Sequence, residues 1–150
     1  MLETLWKRYP TKLIRAQLGT LAGFTPSGST FGTYFGTLKR QGLIREAPNG
    51  DVEMTEAGLA YLGDEVPPQP QTTAEVLAMW QQALKRGEWR MLEALVKIYP
   101  KALSREKLGD QTGYTATGRT FGTYLGTLRG NGLVEVHHEE VKASETLFLT

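Results

Sequence analysis

Apolar residues follow helical spacing in some stretches of the chain and short extended runs in others, and proline and glycine mark the boundaries. Near the start, Leu2, Leu5, Trp6 and Tyr9 fall on one face of a helix. Pro10 follows directly, and a proline restricts the preceding residue to extended geometry. The pattern therefore predicts a first helix that ends before this proline.

Two further helices are predicted before the chain turns extended. A short one covers about residues 12–21, and Gly23 closes it as a C-terminal cap. A turn over residues 24–27 then leads to the stretch STFGTYFGTLKRQGL, which opens at Ser29. This stretch predicts a third helix from Ser29 to Gly42.

An antiparallel hairpin is predicted after the third helix. Two short extended runs cover residues 43–46 and 51–55, and the Pro-Asn-Gly between them is a strong turn signal. The corresponding runs later in the chain are expected at residues 133–136 and 146–149, with a longer, acidic connection.

The whole pattern occurs twice. When residue 1 is set against residue 91, the alignment runs without a gap to about residues 46 and 136, with about half the positions identical. The third helix returns as RTFGTYLGTLRGNGL from Arg119, and the second is capped by Ser104 and closed by Gly113. Two copies are too few for a solenoid, so they indicate two duplicated domains.

Proline-rich sequence separates the two copies. The segment GDEVPPQPQTT has the composition of an extended linker, and Thr73 can cap a helix that continues through Arg86. The predicted organisation is copy 1 over residues 1–62, a linker over 63–73, a connecting helix over 74–90 and copy 2 over 91–150. Thr150 matches Thr55, so copy 2 lacks the EAGLAYL that follows there. This favours a piece of a longer protein; a compact natural protein is the alternative.

Three helices followed by a hairpin is the order of a winged helix-turn-helix. The runs GFTPSGSTFGTYFGTLKRQGLI and GYTATGRTFGTYLGTLRGNGLV resemble the winged-helix repeats at the C-terminal ends of some bacterial and phage P-loop ATPases of the helicase type. The resemblance covers nearly the whole chain, including the tryptophan-bearing helix after the prolines. It implies a mainly α (α+β) fold with two tandem winged helix-turn-helix domains, each with three helices and a short β-hairpin wing. No GxxxxGK[ST] occurs, so the ATPase part is absent.

The third helix carries apolar residues on one side and glycines on its flank. The expected core face contains Phe31, Tyr34, Phe35 and Leu38 in copy 1, and Phe121, Tyr124, Leu125 and Leu128 in copy 2. Gly28, Gly32 and Gly36 form a stripe beside it, repeated by Gly118, Gly122 and Gly126. Each interior glycine costs a helix about 0.5–1 kcal/mol relative to alanine. Either the glycines let the helix pack closely on another helix of its own or the sister domain, or they bring its backbone close to a phosphodiester strand. The two are compatible, and packing is expected to come first.

Beyond the glycines lies a polar face with hydroxyl and basic side chains. Threonine is a mediocre helix former on an exposed surface, so its recurrence indicates contact with a partner; a plain solvated surface is the alternative. The candidate DNA contacts are Ser29, Thr30, Thr33, Thr37, Lys39, Arg40, Arg45, Arg119, Thr120, Thr123, Thr127 and Arg129. The acidic second wing would repel phosphate, which makes copy 1 the stronger candidate.

Composition narrows the class of protein. The absence of cysteine excludes disulfides and thiol chemistry, and neither a membrane span nor a secretory signal is evident, so a cytoplasmic protein is expected. Net charge of +1 gives only weak support for a polyanionic partner. His137, His138, Glu139 and Glu140 alternate in direction along an extended segment, which argues against a metal site. No catalytic signature or cofactor motif occurs, and the tryptophans are expected to be core anchors.

The sequence therefore predicts a non-enzymatic module that binds duplex DNA through its third helices, as an accessory of a larger DNA-processing protein. The alternative is a protein-interaction module that assembles or positions a helicase-type ATPase or self-associates, without DNA contact. Neither hypothesis involves a cofactor or a membrane.

Overall fold

A computed structural model describes residues 1–9, 11–64 and 66–148. The chain is a mixed α/β protein that divides into two compact units, Met1–Gln71 and Thr72–Thr150. Pro10, which is predicted to end the first helix, lies outside the described residues. So does residue 149, the last residue of the strand predicted over residues 146–149.

Unit 1 combines helices with a small antiparallel sheet. Its elements in chain order are α1 (Leu2–Arg8), β1 (Leu13–Ile14), α2 (Arg15–Leu21), α3 (Ser29–Arg40), β2 (Ile44–Glu46), β3 (Asp51–Met54) and α4 (Glu56–Leu62). The strand order is β1-β3-β2, with Leu13 opposite Val52 and Ile44 opposite Met54. The hairpin that Pro-Asn-Gly predicts is confirmed as β2–β3.

Unit 2 repeats this order and adds one helix in front. Its elements are α5 (Thr73–Ala83), α6 (Arg86–Lys97), β4 (Leu103–Ser104), α7 (Arg105–Thr112), α8 (Arg119–Gly130), β5 (Val134–His137), β6 (Glu140–Ala143) and a 3-10 helix (Glu145–Leu147). The strand order, β4-β6-β5, matches that of unit 1. The duplication seen in the sequence is thus a duplication of topology.

The third helices are confirmed, and the same device ends both. Gly42 and Gly132 have positive φ angles of 73° and 67°, a conformation that glycine adopts without strain. The amide of the next residue donates back to the last helical turn, from Leu43 to Leu38 at 3.1 Å. This closure leads the chain directly from α3 into β2, and from α8 into β5.

The predicted core face of the third helix is only partly correct. Phe31 and Phe35 are buried with Leu18 and Val52, as are Phe121, Leu125 and Leu128 in unit 2. Tyr34, however, is 53% exposed, although the Phe24 ring packs edge to face against it with ring centres 5.6 Å apart. Tyr34 is therefore not a core residue.

The second helix begins later than expected. Residues 13–14 form β1, which pairs with β3, so α2 covers only Arg15–Leu21 rather than residues 12–21. In unit 2, Ser104 caps α7 by accepting from the Lys107 amide at 3.1 Å, and Gly113 closes the helix with a φ of 85°, as predicted. A two-residue strand is too short to leave a periodic signal.

The predicted second strand of the unit 2 hairpin is wrong. The strand is β6, Glu140–Ala143, joined to β5 by a tight turn in which His138 has a φ of 57°. Residues 145–147 form the 3-10 helix instead. Val136 and Val141 lie opposite each other, and this apolar pair sets the register although acidic residues surround it. Ser144, not Thr150, corresponds to Thr55. The Ser144 amide donates to the Leu133 carbonyl, and the Thr55 amide donates in the same way to the Leu43 carbonyl.

The connecting helix expected over residues 74–90 is two helices. Leu84 and Lys85 are extended, with ψ angles of 153° and 156°, and they separate α5 from α6. Thr72 rather than Thr73 caps α5, by accepting from the Glu75 amide at 3.2 Å. The buried Glu88 side chain accepts a hydrogen bond from the Lys85 amide at 2.9 Å and so caps the start of α6. This cap stabilises the break between α5 and α6.

The proline-rich segment is tied to α1. The Trp6 indole Nε1 donates to the Pro67 carbonyl at 2.7 Å, and the Gln69 amide Nε2 donates to the carbonyls of Trp6 and Tyr9, each at 2.8 Å. Residues 66–71 have no regular secondary structure. Trp6 is half-buried, and among the tryptophans only Trp80 is fully buried.

Candidate nucleic-acid interface

The outward face of α3 presents a continuous row of hydroxyl and basic side chains. We call Ser29, Thr30, Thr33, Thr37 and Arg40 the α3 ridge. Four of these residues are exposed and Thr37 is half-buried. The Thr37 hydroxyl donates to the Thr33 carbonyl at 3.0 Å and accepts from Arg40 Nη2 at 3.1 Å, which holds the guanidinium along the helix. The ridge is therefore accessible and partly organised.

Unit 2 carries a similar row, the α8 ridge, made of Arg119, Thr120, Thr123, Thr127 and Arg129. Its basic residues differ in position, because Arg129 corresponds to Lys39 and Gly130 to Arg40. Thr127 repeats the bond of Thr37 and donates to the Thr123 carbonyl at 3.2 Å. Within the described chain, neither Arg119 nor Arg129 forms an ion pair with a carboxylate. Both ridges thus expose cationic groups beside hydroxyls.

The glycine stripe lies open beside each ridge. A Cβ atom at Gly32, Gly122 or Gly126 would meet no described atom within 4 Å, and one at Gly36 would meet only Arg40 Nη1 at 3.5 Å. The interpretation that these glycines let the third helix press on another helix of its own domain is therefore wrong. Gly28 differs, because a Cβ there would lie 3.2 Å from the Thr25 carbonyl.

The first turn of α3 has free backbone donors. Gly28 occupies the N-cap position and supplies no side chain, so no hydrogen bond from a side chain caps the helix. A shallow depression lined by Ser29, Thr30, Thr33 and Tyr34 lies beside this end. Outward amides and the positive end of the helix dipole together favour an anionic group. Gly118 begins α8 in the same way.

Lys39 does not present a free charge. Its Nζ lies 3.3 Å from Glu46, whose carboxylate also accepts from Arg15 Nε at 2.6 Å and Nη2 at 2.8 Å. The hydrogen bond from Arg15, with Lys39 nearby, lowers the pKa of Glu46, and the same bond raises the pKa of Arg15. The Arg15 guanidinium also stacks 4.4 Å from the centre of the Phe35 ring. Sequence reasoning missed Arg15, although its return as Arg105 in copy 2 was an available signal.

Arg45 is likewise paired, across the hairpin. Its Nε donates to Glu53 at 2.8 Å, its Nη2 contacts the same carboxylate, and Lys12 approaches Glu53 at 3.4 Å. The hydrogen bond from Arg45 is the main reason that the pKa of Glu53 is lowered. Unit 1 therefore has fewer unpaired basic side chains than the sequence predicts.

The unit 2 hairpin reverses this arrangement. Glu135 takes the place of Arg45 and lies opposite Lys142. Val136 takes the place of Glu46, which leaves Arg129 without the carboxylate that holds Lys39. His137, His138, Glu139 and Glu140 are all exposed.

The described residues give no geometric support for a metal site or a membrane-spanning helix. No three His, Cys, Asp or Glu side chains there converge as metal ligands would, and no helix there combines the length and apolar character that a bilayer crossing needs. No protein-family model, no curated protein and no solved structure matches the chain.

Proposed function

We propose that each unit is a winged helix-turn-helix and that the protein is a non-enzymatic, cytoplasmic DNA-binding module. In this proposal the α3 and α8 ridges contact duplex DNA, and the module is an accessory of a larger DNA-processing protein of the bacterial or phage helicase type. The order of three helices and a hairpin in both units supports the fold assignment. The two ridges support the assignment of function.

The open glycines carry the proposal. Each interior glycine destabilises its helix by about 0.5–1 kcal/mol relative to alanine. At Gly32, Gly122 and Gly126 no packing inside the described structure offsets this cost. Glycine at such places permits a close approach of another backbone to the helix. A phosphodiester strand is such a partner, because hydroxyls and cations flank the stripe in both units.

The contacts fall into two groups. Backbone amides at the starts of α3 and α8, with Ser29, Thr30 and Thr120, suit phosphate oxygens. Further along each helix, Thr33 and Thr123 are exposed. Arginines on the same ridges can contact phosphate or base edges. Lys39 and Arg45 contribute less, since each is already bound to a carboxylate.

Salt dependence tests the proposal directly. If Arg40, Arg119 and Arg129 each contact one phosphate, the logarithm of the duplex affinity should fall with the logarithm of salt concentration with a slope of about −2.7. Fluorescence anisotropy with a labelled duplex measures this slope. Undetectable duplex binding at low salt would contradict the proposal.

A charge-reversal variant locates the surface. Thr33→Glu combined with Arg40→Glu should abolish duplex binding and leave thermal unfolding nearly unchanged, because both residues are exposed. Ala57→Glu combined with Lys101→Glu is the matched control: it alters one neutral and one basic residue, both exposed and both outside the ridges. Equal binding by the two variants would refute the assignment of the α3 ridge.

A second candidate is an assembly module for a helicase-type ATPase. It is favoured by the exposed aromatic residues of unit 1, where Tyr34 is 53% and Tyr61 72% exposed. This function predicts no duplex affinity at low salt and self-association that rises with protein concentration. Sedimentation velocity measured over a range of concentrations separates it from DNA binding.

A further inference from the structure

In unit 1 two basic side chains bind one carboxylate, and both of them have counterparts in unit 2. Arg105 begins α7 as Arg15 begins α2. Arg129 is the second-last residue of α8, as Lys39 is of α3. The Glu46 carboxylate lies 2.6 Å from Arg15 Nε and 3.3 Å from Lys39 Nζ. The two basic positions of unit 1 therefore converge on a single anionic group.

The strand register of unit 2 puts a valine in the place of that carboxylate. Glu46 lies opposite Val52 in the hairpin of unit 1, and Val136 lies opposite Val141 in the hairpin of unit 2. The two opposing valines also pair with β1 and β4, respectively. Val136 is thus the structural counterpart of Glu46, and its side chain can neither accept a hydrogen bond nor carry charge.

The Arg105 side chain is left without an acceptor. Its Nε atom is buried and has no hydrogen-bond partner in the described chain, whereas Nε and Nη2 of Arg15 both donate to Glu46. A buried donor without an acceptor destabilises a folded protein, so an oxygen ligand supplied from outside is favoured there. Arg105 as a whole is only half-buried, and a turn about its last bonds presents Nε and an Nη atom together.

The carboxylates nearest to Arg105 do not replace Glu46. Glu106, Asp110 and Glu139 line a depression beside Arg105, yet within the described residues none of them forms an ion pair with its guanidinium. Glu139 accepts only from the Arg105 backbone amide, through its carbonyl at 2.9 Å. These charges oppose an anion inside the depression, so the better position for one is beside Val136.

We propose that Arg105 and Arg129 together bind one phosphate group of duplex DNA, at the place that the Glu46 carboxylate takes in unit 1. This inference rests on the proposed function, and it adds Arg105, which lies outside the α8 ridge, to the contacts of unit 2. Arginine binds carboxylates and phosphates with the same two-point geometry. Two phosphate oxygens accept from Nε and an Nη atom of Arg105, and the exposed Arg129 contacts the same group.

Returning a carboxylate to unit 2 tests the proposal. In Val136→Glu the new side chain should pair with Arg105 and Arg129, as Glu46 pairs with its two partners, and so remove one phosphate contact. We expect duplex affinity, measured by fluorescence anisotropy, to fall about tenfold or more. The slope of log affinity against log salt concentration should become less steep by about 0.9. Unchanged affinity and slope in a variant that circular dichroism shows to be folded would overturn the proposal.

Two matched variants separate charge at this place from other effects. Val136→Gln has nearly the same shape as Val136→Glu without its charge, and it should keep most of the affinity. His137→Glu adds a carboxylate at the next, exposed residue, on the opposite face of the strand. It should weaken binding by less than about threefold, because salt screens exposed charges. If either variant lost as much affinity as Val136→Glu, the proposal would be wrong.

Arg105 can also be observed without changing the hairpin. Its Nε–H resonance in heteronuclear NMR, assigned from its absence in Arg105→Lys, should shift when duplex DNA is added to the full chain. If the chain binds duplex and this resonance does not move, Arg105 makes no phosphate contact, although the proposed function stands. If the chain binds no duplex at low salt, the proposed function and this inference both fail.

Discussion

Replacing the open glycines of α3 by alanine should stabilise unit 1 and, under the proposed function, weaken its binding to DNA. A Cβ at Gly32 meets nothing within 4 Å, and one at Gly36 meets a flexible guanidinium atom at an ordinary contact distance of 3.5 Å. Each replacement therefore gains the helix propensity of alanine without a clash, about 0.5–1 kcal/mol. For the pair we expect about 1–2 kcal/mol, and each kcal/mol raises Tm by about 4–8 °C in a unit of this size.

The effect on binding should have the opposite sign. If a DNA strand approaches the stripe closely, two added methyl groups obstruct it, and overpacking of this kind costs about 1–3 kcal/mol. Since 1.4 kcal/mol corresponds to a tenfold change, duplex affinity should fall by about fivefold to a hundredfold. Calorimetric unfolding and anisotropy titration on the same preparation measure both quantities.

A third glycine in unit 1 provides the control. At Gly58 a Cβ would lie 2.2 Å from the Leu43 carbonyl oxygen, so Gly58→Ala must lower Tm although the chemical change is the same. A lower Tm for the Gly32 and Gly36 variant would show that the stripe is packed rather than open. A higher Tm with unchanged duplex affinity would refute a close approach of DNA to this helix.

Two further predictions concern carboxylates. The pKa of Glu46 is lowered in the folded chain, so its contribution to the free energy of unfolding is present above the ordinary value near 4.5 and is lost as the pH falls through the lowered one. Glu46→Gln should therefore make the free energy of unfolding fall less steeply below about pH 4.5. At pH 7 the same variant should bind duplex DNA more strongly, because it releases Lys39. Weaker binding would contradict the idea that Glu46 holds Lys39 back from DNA. Glu88→Ala should destabilise unit 2 by about 0.5–2 kcal/mol, because the Lys85 amide loses its buried acceptor. Urea unfolding measures this loss of stability. An unchanged unfolding midpoint would show that the Glu88 side chain does not stabilise the start of α6.

Much of the fold follows from local sequence. The third helices, their glycine ends and the β2–β3 hairpin are specified by residues close together in the chain, such as Gly42 and the Asn49-Gly50 turn. Strand β1 escapes detection because two residues cannot show a period, and only its pairing with Val52 makes it a strand. The hairpin of unit 2 was misplaced because its polar turn hides the pairing of Val136 with Val141.

The exposure of the α3 ridge was predictable from the sequence, but the partners of the neighbouring basic side chains were not. The spacing of Thr33 and Arg40 places them on one outward face, and the structure has them exposed. The partners of Lys39 and Arg45 depend on how the hairpin lies against the helix, which no local pattern contains. The exposure of Tyr34 depends on whether a distant segment covers it, as residues around Gly87 do for Tyr124.

The reversed charges of the two hairpins make the two units unlike in one respect. Arg45 faces Glu53 in unit 1, whereas Glu135 faces Lys142 in unit 2, while the adjoining helices keep nearly the same outward face. Two identical units would bind the same anionic ligand equally well. Here α3 and α8 lie beside hairpins of different charge, so each unit taken alone would bind such a ligand with a different affinity.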